Sequence, residues 1–476
     1  MKTAPTRAAR RTLLLAIAVW ALLSAIPNPR PDPAPATAPA GDFSAERAMV
    51  HVAAIAQRPH PMGSLEHRRV RDYIRTELGR LNLEAQIQTG TGHYSRGRFE
   101  NSGTVENVLA RLAGTANTRP VMLVAHYDST LRGPGAGDDA HGVAVLLETL
   151  RALRASPSLR NDTIFLFTDG EEGGLLGADV FMRMHPWRSE PGVVLNFDAR
   201  GTGGPSFMFE TSAGNAWLID ALRTAAPRVE ATSTAYEIYR LMPNDTDLSV
   251  FKRAGLNGMN FAFIGGDQFY HGPLDDVAHL DRRSVQEEGD YALGLARIFG
   301  DQDLTQPHSG NAIYFPTLLT PLIAYPEPWA GPLAWLAAAG LAAALWFGRR
   351  TRGRWIAAAL APLAAISIYV CRTAPGASYL LEWPLIAGVA SFALLVTAPK
   401  QLVVGWRLVL LALLPAAVLL IVVPFALPVV QASRAVGPAI AAPILALAAL
   451  VILAGLAPQI VLVLRKGEAR PQRAAV

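Results

Sequence analysis

The chain has 476 residues, of which 51 % are hydrophobic and 17 % charged, with a mean hydropathy of +0.24 and a formal net charge of +5. That length leaves room for two or three domains, and the single cysteine, Cys371, excludes an intrachain disulfide. The basic balance misdescribes the middle of the chain: residues 27–327 hold 27 Lys and Arg against 36 Asp and Glu, a net charge of −9, so nucleic acid is not an expected partner.

Lys2, Arg7, Arg10 and Arg11 precede an apolar block, 12–26 (TLLLAIAVWALLSAI). Residues 1–26 read as an N-terminal transmembrane anchor or signal-anchor, with a cleaved signal peptide as the alternative. The Pro/Ala-rich stretch 27–42 reads as a semi-extended linker rather than a packed element. Helical spacing of apolar positions follows over 45–57 and 65–82, separated by RPHPMGS (58–64). Strand-like apolar runs then recur at 105–113, 120–128, 163–169, 192–198, 205–210 and 259–264, interleaved with helix-like segments at 142–154, 175–184, 215–226 and 283–299. Such alternation predicts an α/β fold with a mostly parallel central sheet flanked by helices.

Residues 311–327 are too short and too proline-broken for a clean span and read as an interfacial or re-entrant connector. From 328 to 476 the chain is mostly apolar, with five expected spans at 328–347, 355–371, 380–398, 408–430 and 438–463, an all-α transmembrane bundle with a basic cytoplasmic tail. Basic residues cluster in every second loop: Arg349, Arg350, Arg352 and Arg354, then Lys400 and Arg407, then Arg465, Lys466, Arg470 and Arg473. The positive-inside rule places both ends in the cytoplasm and 27–327 outside. This layout predicts a multi-pass protein in contact with the lipid bilayer, with a bacterial inner membrane and a periplasmic domain as the expected location and an endomembrane lumen as the alternative.

The chemistry sits at the ends of the apolar runs. His126 closes VMLVAH, Asp138 lies in GAGDDAHG, Glu171 and Glu172 follow TIFLFTDG, Asp198 closes VVLNFD, and His271 lies in FYHGPLDD. In an open α/β sheet ligands gather at the carboxyl ends of the strands, so these residues should converge. His and carboxylate side chains are the donors that zinc takes in catalytic sites, and five of them suffice for a pair of ions sharing one carboxylate. Asp138 is the candidate bridge, with His126 and Asp198 on one ion and Glu172 and His271 on the other. Glu171 is left free to act as general base. Asp128, two residues past His126, could accept the other imidazole N–H. Asp247 and Tyr270 could contact substrate and stay outside the expected set.

The succession H-x-D, G-A-x-D-D, E-E-G-x-x-x-G, N-x-D and Y-H-x-x-x-D resembles the M28 family of co-catalytic zinc aminopeptidases and carboxypeptidases. RPHPMGS (58–64), ENVLARLAG (106–114) and MPNDTDLSVF (242–251) extend the resemblance, and NFDARGTGG followed by PSFMFET is most similar to its membrane-bound branch, of endoplasmic reticulum and vacuolar membrane type. The likeness covers about 45–300. It implies a zinc exopeptidase fold over 43–310, two Zn2+ per chain held by His126, Asp138, Glu172, Asp198 and His271, catalytic roles for Glu171 and Asp128, and hydrolysis of peptides by an activated water. Asp198 stands where that branch often has Glu, and His141 where a small residue is common; His141 reads as a helix-start residue rather than a cleft residue. Aminopeptidase action is preferred on family grounds. The rivals are a glutaminyl cyclase-like aminoacyl transferase, an inactive binding or scaffold relative, and a transporter with an accessory outer domain.

Overall fold

The computed structural model of the protein describes residues 30–335, apart from 97–98, 227, 241, 316–321 and 334. The expected spans at 12–26, 355–371, 380–398, 408–430 and 438–463 lie outside the described residues, as does most of 328–347. No helix among the described residues is long and apolar enough to cross a membrane. The chain divides into two units, and residues 28–240 with 244–327 form the one that carries the sheet.

Its elements in chain order are α1 (Ala45–Ile55), α2 (Leu65–Arg80), β1 (Gln86–Arg96), β2 (Phe99–Leu112), β3 (Val121–His126), a π-helical turn (Ala136–Ala140), α3 (His141–Arg154), β4 (Thr163–Thr168), α4 (Leu176–Met184), β5 (Val193–Ala199), β6 (Gly203–Thr211), α5 (Ala216–Ala225), β7 (Glu230–Ala231), α6 (Ser233–Tyr239), α7 (Asp247–Arg253), β8 (Gly258–Gly265), α8 (Arg282–Asp301), β9 (Ala312–Phe315) and β10 (Ile323–Pro326). Side-chain caps mark several helix starts where the sequence offers Ser or Asp. Ser44 accepts from Arg47 N at 3.2 Å, Ser64 from His67 N at 3.0 Å and Asp281 from Arg283 N at 3.0 Å.

The sheet runs β1-β2-β4-β3-β5-β8-β6-β7. Its four central strands, β4, β3, β5 and β8, are parallel. Every residue of β3, β4 and β5 is buried, which is why these segments read as near-continuous apolar runs. Alternate side chains serve opposite faces. Leu123 and Ala125 join Val145, Leu150, Tyr291 and Phe299 of α3 and α8 in one core. Met122 and Val124 join Phe181 and Phe251 of α4 and α7 in the other. Phe197 and Phe261 stack at 5.1 Å across the β5–β8 pair and tie the centre of the sheet together.

Three expectations change. The sheet is mixed rather than mostly parallel: β1–β2, β2–β4 and β6–β8 are antiparallel, because β1 and β2 form a hairpin and β6 turns back directly after β5. The stretch 27–42, expected as a free linker, is docked along its described length. Arg30 meets Asp281 at 2.8 Å and Ser284 at 2.9 Å, and Ala34 N donates to Gln286 Oε1 at 2.8 Å. A Pro/Ala-rich chain leaves its own carbonyls unused, and here Arg47 takes those of Ala36, Ala38 and Asp42 while Arg151 takes that of Ala40. The connector 311–327 contains two paired strands, β9 and β10, with Tyr314 N donating to Ser233 Oγ at 2.9 Å.

Glu287 of α8 is buried against β6 and accepts from Ser206 N at 2.9 Å. Burial pushes its carboxyl up to about 7. A folded-state value above the unfolded one stabilises the fold at low pH, and that contribution is lost as pH rises through about 7. Thermal melts of wild type and Glu287→Gln should therefore diverge with pH: the variant's Tm relative to wild type should rise between pH 5 and pH 8. A pH-independent difference would remove Glu287 as the cause.

Candidate metal centre

The parallel strands end at one place. His126 is the last residue of β3 and pairs in register with Thr168, the last of β4, so Glu171 and Glu172 follow just beyond. Asp198 is near the end of β5, alongside Ala262 of β8. Asp138 comes from the π-helical turn after β3, and His271 from the loop after β8. Two groups of metal-type donors result, His126–Asp138–Asp198 and Asp138–Glu172–His271, each with its donor atoms within 4.8 Å of one another and both containing Asp138. All five residues expected as ligands are brought together, and Glu171 belongs to neither group.

The donor chemistry fits a cation. His126 Nδ1 donates to the carbonyl oxygen of Asp128 at 3.0 Å, which in the neutral imidazole leaves Nε2 as a bare lone pair. That lone pair faces Asp138 Oδ1 at 3.0 Å and Asp198 Oδ1 at 3.9 Å. Acceptors so close repel unless a proton or metal lies between them. His271 Nε2 sits 2.9 Å from Asp138 Oδ2 and 3.2 Å from Glu172 Oε1, yet His271 Nε2 and Glu172 Oε1 are both buried with no hydrogen-bond partner. Ligands about 2.0–2.2 Å from a tetrahedral zinc stand about 3.3–3.5 Å apart, a spacing the four closest pairs bracket. His271 holds this place with φ of 56°, a left-handed conformation that costs a non-glycine residue of order 1 kcal/mol.

Electrostatics point the same way. Burial, reinforced by Asp138, pushes Asp198 and Glu172 up to about 7 each. Burial also lifts Asp247 to about 6 and, with Asp198, Asp247 and Glu172 adding to it, holds Glu171 well above the usual range. Burial would raise Asp138 too, but the two imidazoles outweigh it and keep this carboxyl below its ordinary value. The pocket thus collects more negative charge than two imidazoles can neutralise, which divalent cations would do.

Several supporting residues were not recognised as such in the sequence. Asp275, the last residue of Y-H-x-x-x-D, is buried and accepts from Gly137 N at 2.6 Å and Asp138 N at 3.2 Å. It ties the His271 loop to the Asp138 turn. Gly137 has no room for a side chain, since a Cβ there would meet Gly201 O and lie 2.9 Å from Asp275 Oδ1. The Asp138–Asp139 peptide is cis, and Asp139 accepts from His126 N at 3.1 Å and Gly142 N at 3.0 Å. His67 is buried 2.7 Å from Asp169, which also accepts from Glu106 N at 2.8 Å.

Asp128 does less for the imidazole and more for the neighbouring loop than its place in the sequence suggests. Its carboxylate lies 3.4 Å from His126 Nδ1, whereas it accepts from Glu171 N at 3.0 Å and Glu172 N at 3.3 Å. His141 does start a helix, but it is fully buried, 2.5 Å from Gly137 O and 2.9 Å from Glu288 Oε1. Burial lowers its pKa, but Glu288 overrides this and lifts it to about 9. Glu288 in turn accepts from Ser206 Oγ at 2.7 Å, so α8 and β6 brace the turn that carries Asp138.

Fold and site together define a mixed α/β domain with two overlapping groups of metal-type side chains at its strand ends. Residues 107–296 match Peptidase family M28, and the chain carries a peptidase domain of that family. Endoplasmic reticulum metallopeptidase 1 of Rattus norvegicus is 30 % identical over 346 residues, covering 67 % of this chain and 38 % of that protein. Vacuolar membrane protease of Candida dubliniensis is 29 % identical over 260 residues, covering 52 % of this chain and 27 % of that protein. The chain thus spans less than two fifths of the length of these curated relatives. Among solved structures, a zinc aminopeptidase from Bacillus subtilis aligns with a TM-score of 0.45 at 16 % identity, over 55 % of this chain and 96 % of that one. A glutaminyl cyclase from Porphyromonas gingivalis aligns with a TM-score of 0.43 at 20 % identity, over 53 % and 98 %.

Because Asp275 holds the backbone amides beside Asp138, Asp275→Ala should weaken zinc binding by about 10- to 100-fold. Competition with a chelator, followed by metal analysis of the full-length protein, measures this. An affinity equal to wild type would show that the turn keeps its shape without Asp275.

Proposed function

We propose that the protein is a membrane-anchored zinc-dependent exopeptidase, most simply an aminopeptidase, acting on peptides presented on the outer side of the membrane. The observation that carries this reading is the sharing of Asp138 by two donor groups with Glu171 standing outside both. His126 and Asp198 would hold one zinc ion, Glu172 and His271 the other, and Asp138 both. Bound there, the ions would supply Lewis-acid polarisation of a carbonyl and a water acidified toward neutral pH. Asp247, another buried acid outside both groups, accepts from Thr168 Oγ1, and we assign the proton transfer to Glu171. It accepts a proton from the attacking water as the C–O bond forms, then gives it to the departing amine as the C–N bond breaks. The Asp128 carboxylate positions Glu171 through the Glu171 N–H. The apolar segments at 12–26 and beyond 328 supply the anchor, and the names of the membrane-located relatives favour the same location.

Glu171→Gln keeps the shape of the side chain and its backbone bond to Asp128 but removes the base. Turnover of unblocked peptides by the full-length variant should fall by about 10²–10⁴-fold, with zinc content equal to wild type by mass spectrometry. A variant with near-normal turnover, or one that has lost its zinc, would rule out the proton-transfer role. Comparing free, N-blocked and C-blocked peptides on the wild type then identifies the end from which cleavage proceeds.

A further inference from the structure

Arg200 directly follows β5, two residues past Asp198. Its backbone is fixed, with Arg200 N donating to Phe263 O at 3.0 Å. The carbonyl of the next residue, Gly201, abuts Gly137, one residue before Asp138. The guanidinium lies over the ring of Tyr270, 5.7 Å from its centroid, within the range in which the ring quadrupole attracts a cation. The Tyr270 ring in turn stacks on the His271 imidazole at 3.7 Å, and His271 Nε2 is 2.9 Å from Asp138. Arg200 is therefore half-exposed and touches the aromatic ring that stacks on His271 of the donor groups.

Unlike the arginines whose ion pairs brace the fold, its guanidinium meets no carboxylate among the described residues. Arg30, Arg47, Arg71, Arg111 and Arg151 each meet a carboxylate at 2.6–2.8 Å. No carboxylate among the described residues lies within 4.0 Å of Arg200, although the pocket beside it is built from Asp and Glu. A guanidinium fork matches a carboxylate in two-point geometry.

Resting on the peptidase reading above, we propose that Arg200 binds a carboxylate of the substrate, making the preferred substrates short peptides that carry a negative charge close to the scissile bond. A peptide advances about 3.5 Å per residue, so a carboxylate one or two residues from the reacting carbonyl comes within reach of the side chain. Two sources share this chemistry: the free C-terminal carboxylate of a dipeptide and the side chain of Asp or Glu.

The test compares Ala-Leu, Ala-Leu-amide and Ala-Glu-amide on the full-length zinc-loaded protein, as wild type and as Arg200→Met, Arg200→Lys and Arg132→Met. Arg132 is an exposed cation on a neighbouring loop and serves as the comparison. Wild type should favour at least one carboxylate-bearing peptide over Ala-Leu-amide by about 10- to 100-fold in kcat/KM, the worth of one charge-assisted pair. Which peptide wins identifies the source. That ratio should collapse toward one in Arg200→Met, recover in part in Arg200→Lys and persist in Arg132→Met. Dissociation constants measured by calorimetry in a Glu171→Gln background, where cleavage is blocked, should follow the same order. Equal handling of all three peptides by wild type, or a preference abolished by Arg132→Met and untouched by Arg200→Met, overturns the inference while leaving the peptidase reading intact. Failure of wild type to cleave any peptide refutes that reading and this inference with it.

Discussion

One buried carboxylate sets the terms for the rest of the domain. Asp138 faces His126 at 3.0 Å through one oxygen and His271 at 2.9 Å through the other. Two imidazoles can be drawn to the same acid only if the turn after β3, the end of β3 and the loop after β8 are all held in place. The parallel centre of the sheet supplies two of these anchors by ending its strands in register. The third comes from Asp275, which reaches across from the His271 loop to the amides of Gly137 and Asp138. Behind the turn, His141 and Glu288 complete the brace. The two apolar cores on either side of β3 hold this framework rigid, and rigidity is what a preorganised centre requires.

The same arrangement explains why so many acids tolerate one pocket. Without cations, Asp198 and Glu172 are driven to protonate near neutral pH by burial and by Asp138. As ligands of a cation they would be ionised. Metal affinity and local stability are therefore linked through proton release, and the pocket is better suited to its charged guests than to water alone. Glu171 shares the enclosure but belongs to neither donor group.

Much of this was legible from residue order. The core strands announced themselves as apolar runs because they are buried on both faces, and each donor lay at the end of such a run or in the loop after it, where a parallel sheet collects ligands. What escaped notice has physical reasons. β1 (QIQTGTGHYSR) is mostly exposed or half-buried and carries no apolar alternation, so the hairpin it forms with β2 left no pattern. α6 and α7 have seven residues each, too few to show a period. The docking of 30–42 depends on arginines up to more than a hundred residues away. Asp275 was visible as part of a motif, but an acid that serves backbone amides looks like any other acid until the loops meet. Asp128 was assigned to the imidazole by adjacency, whereas its carboxylate lies closer to the amide of Glu171. The antiparallel pairings β1–β2, β2–β4 and β6–β8 follow from connections that periodicity does not encode.

The central claim is that Asp138 stands between two bound cations. An anomalous-diffraction map at the zinc edge, collected on crystals of the zinc-loaded protein, tests it directly. The account predicts two peaks about 3.5–4 Å apart, flanking the Asp138 carboxylate, with His126 and Asp198 on one side and Glu172 and His271 on the other. A single peak, or two peaks that do not share Asp138, would contradict it.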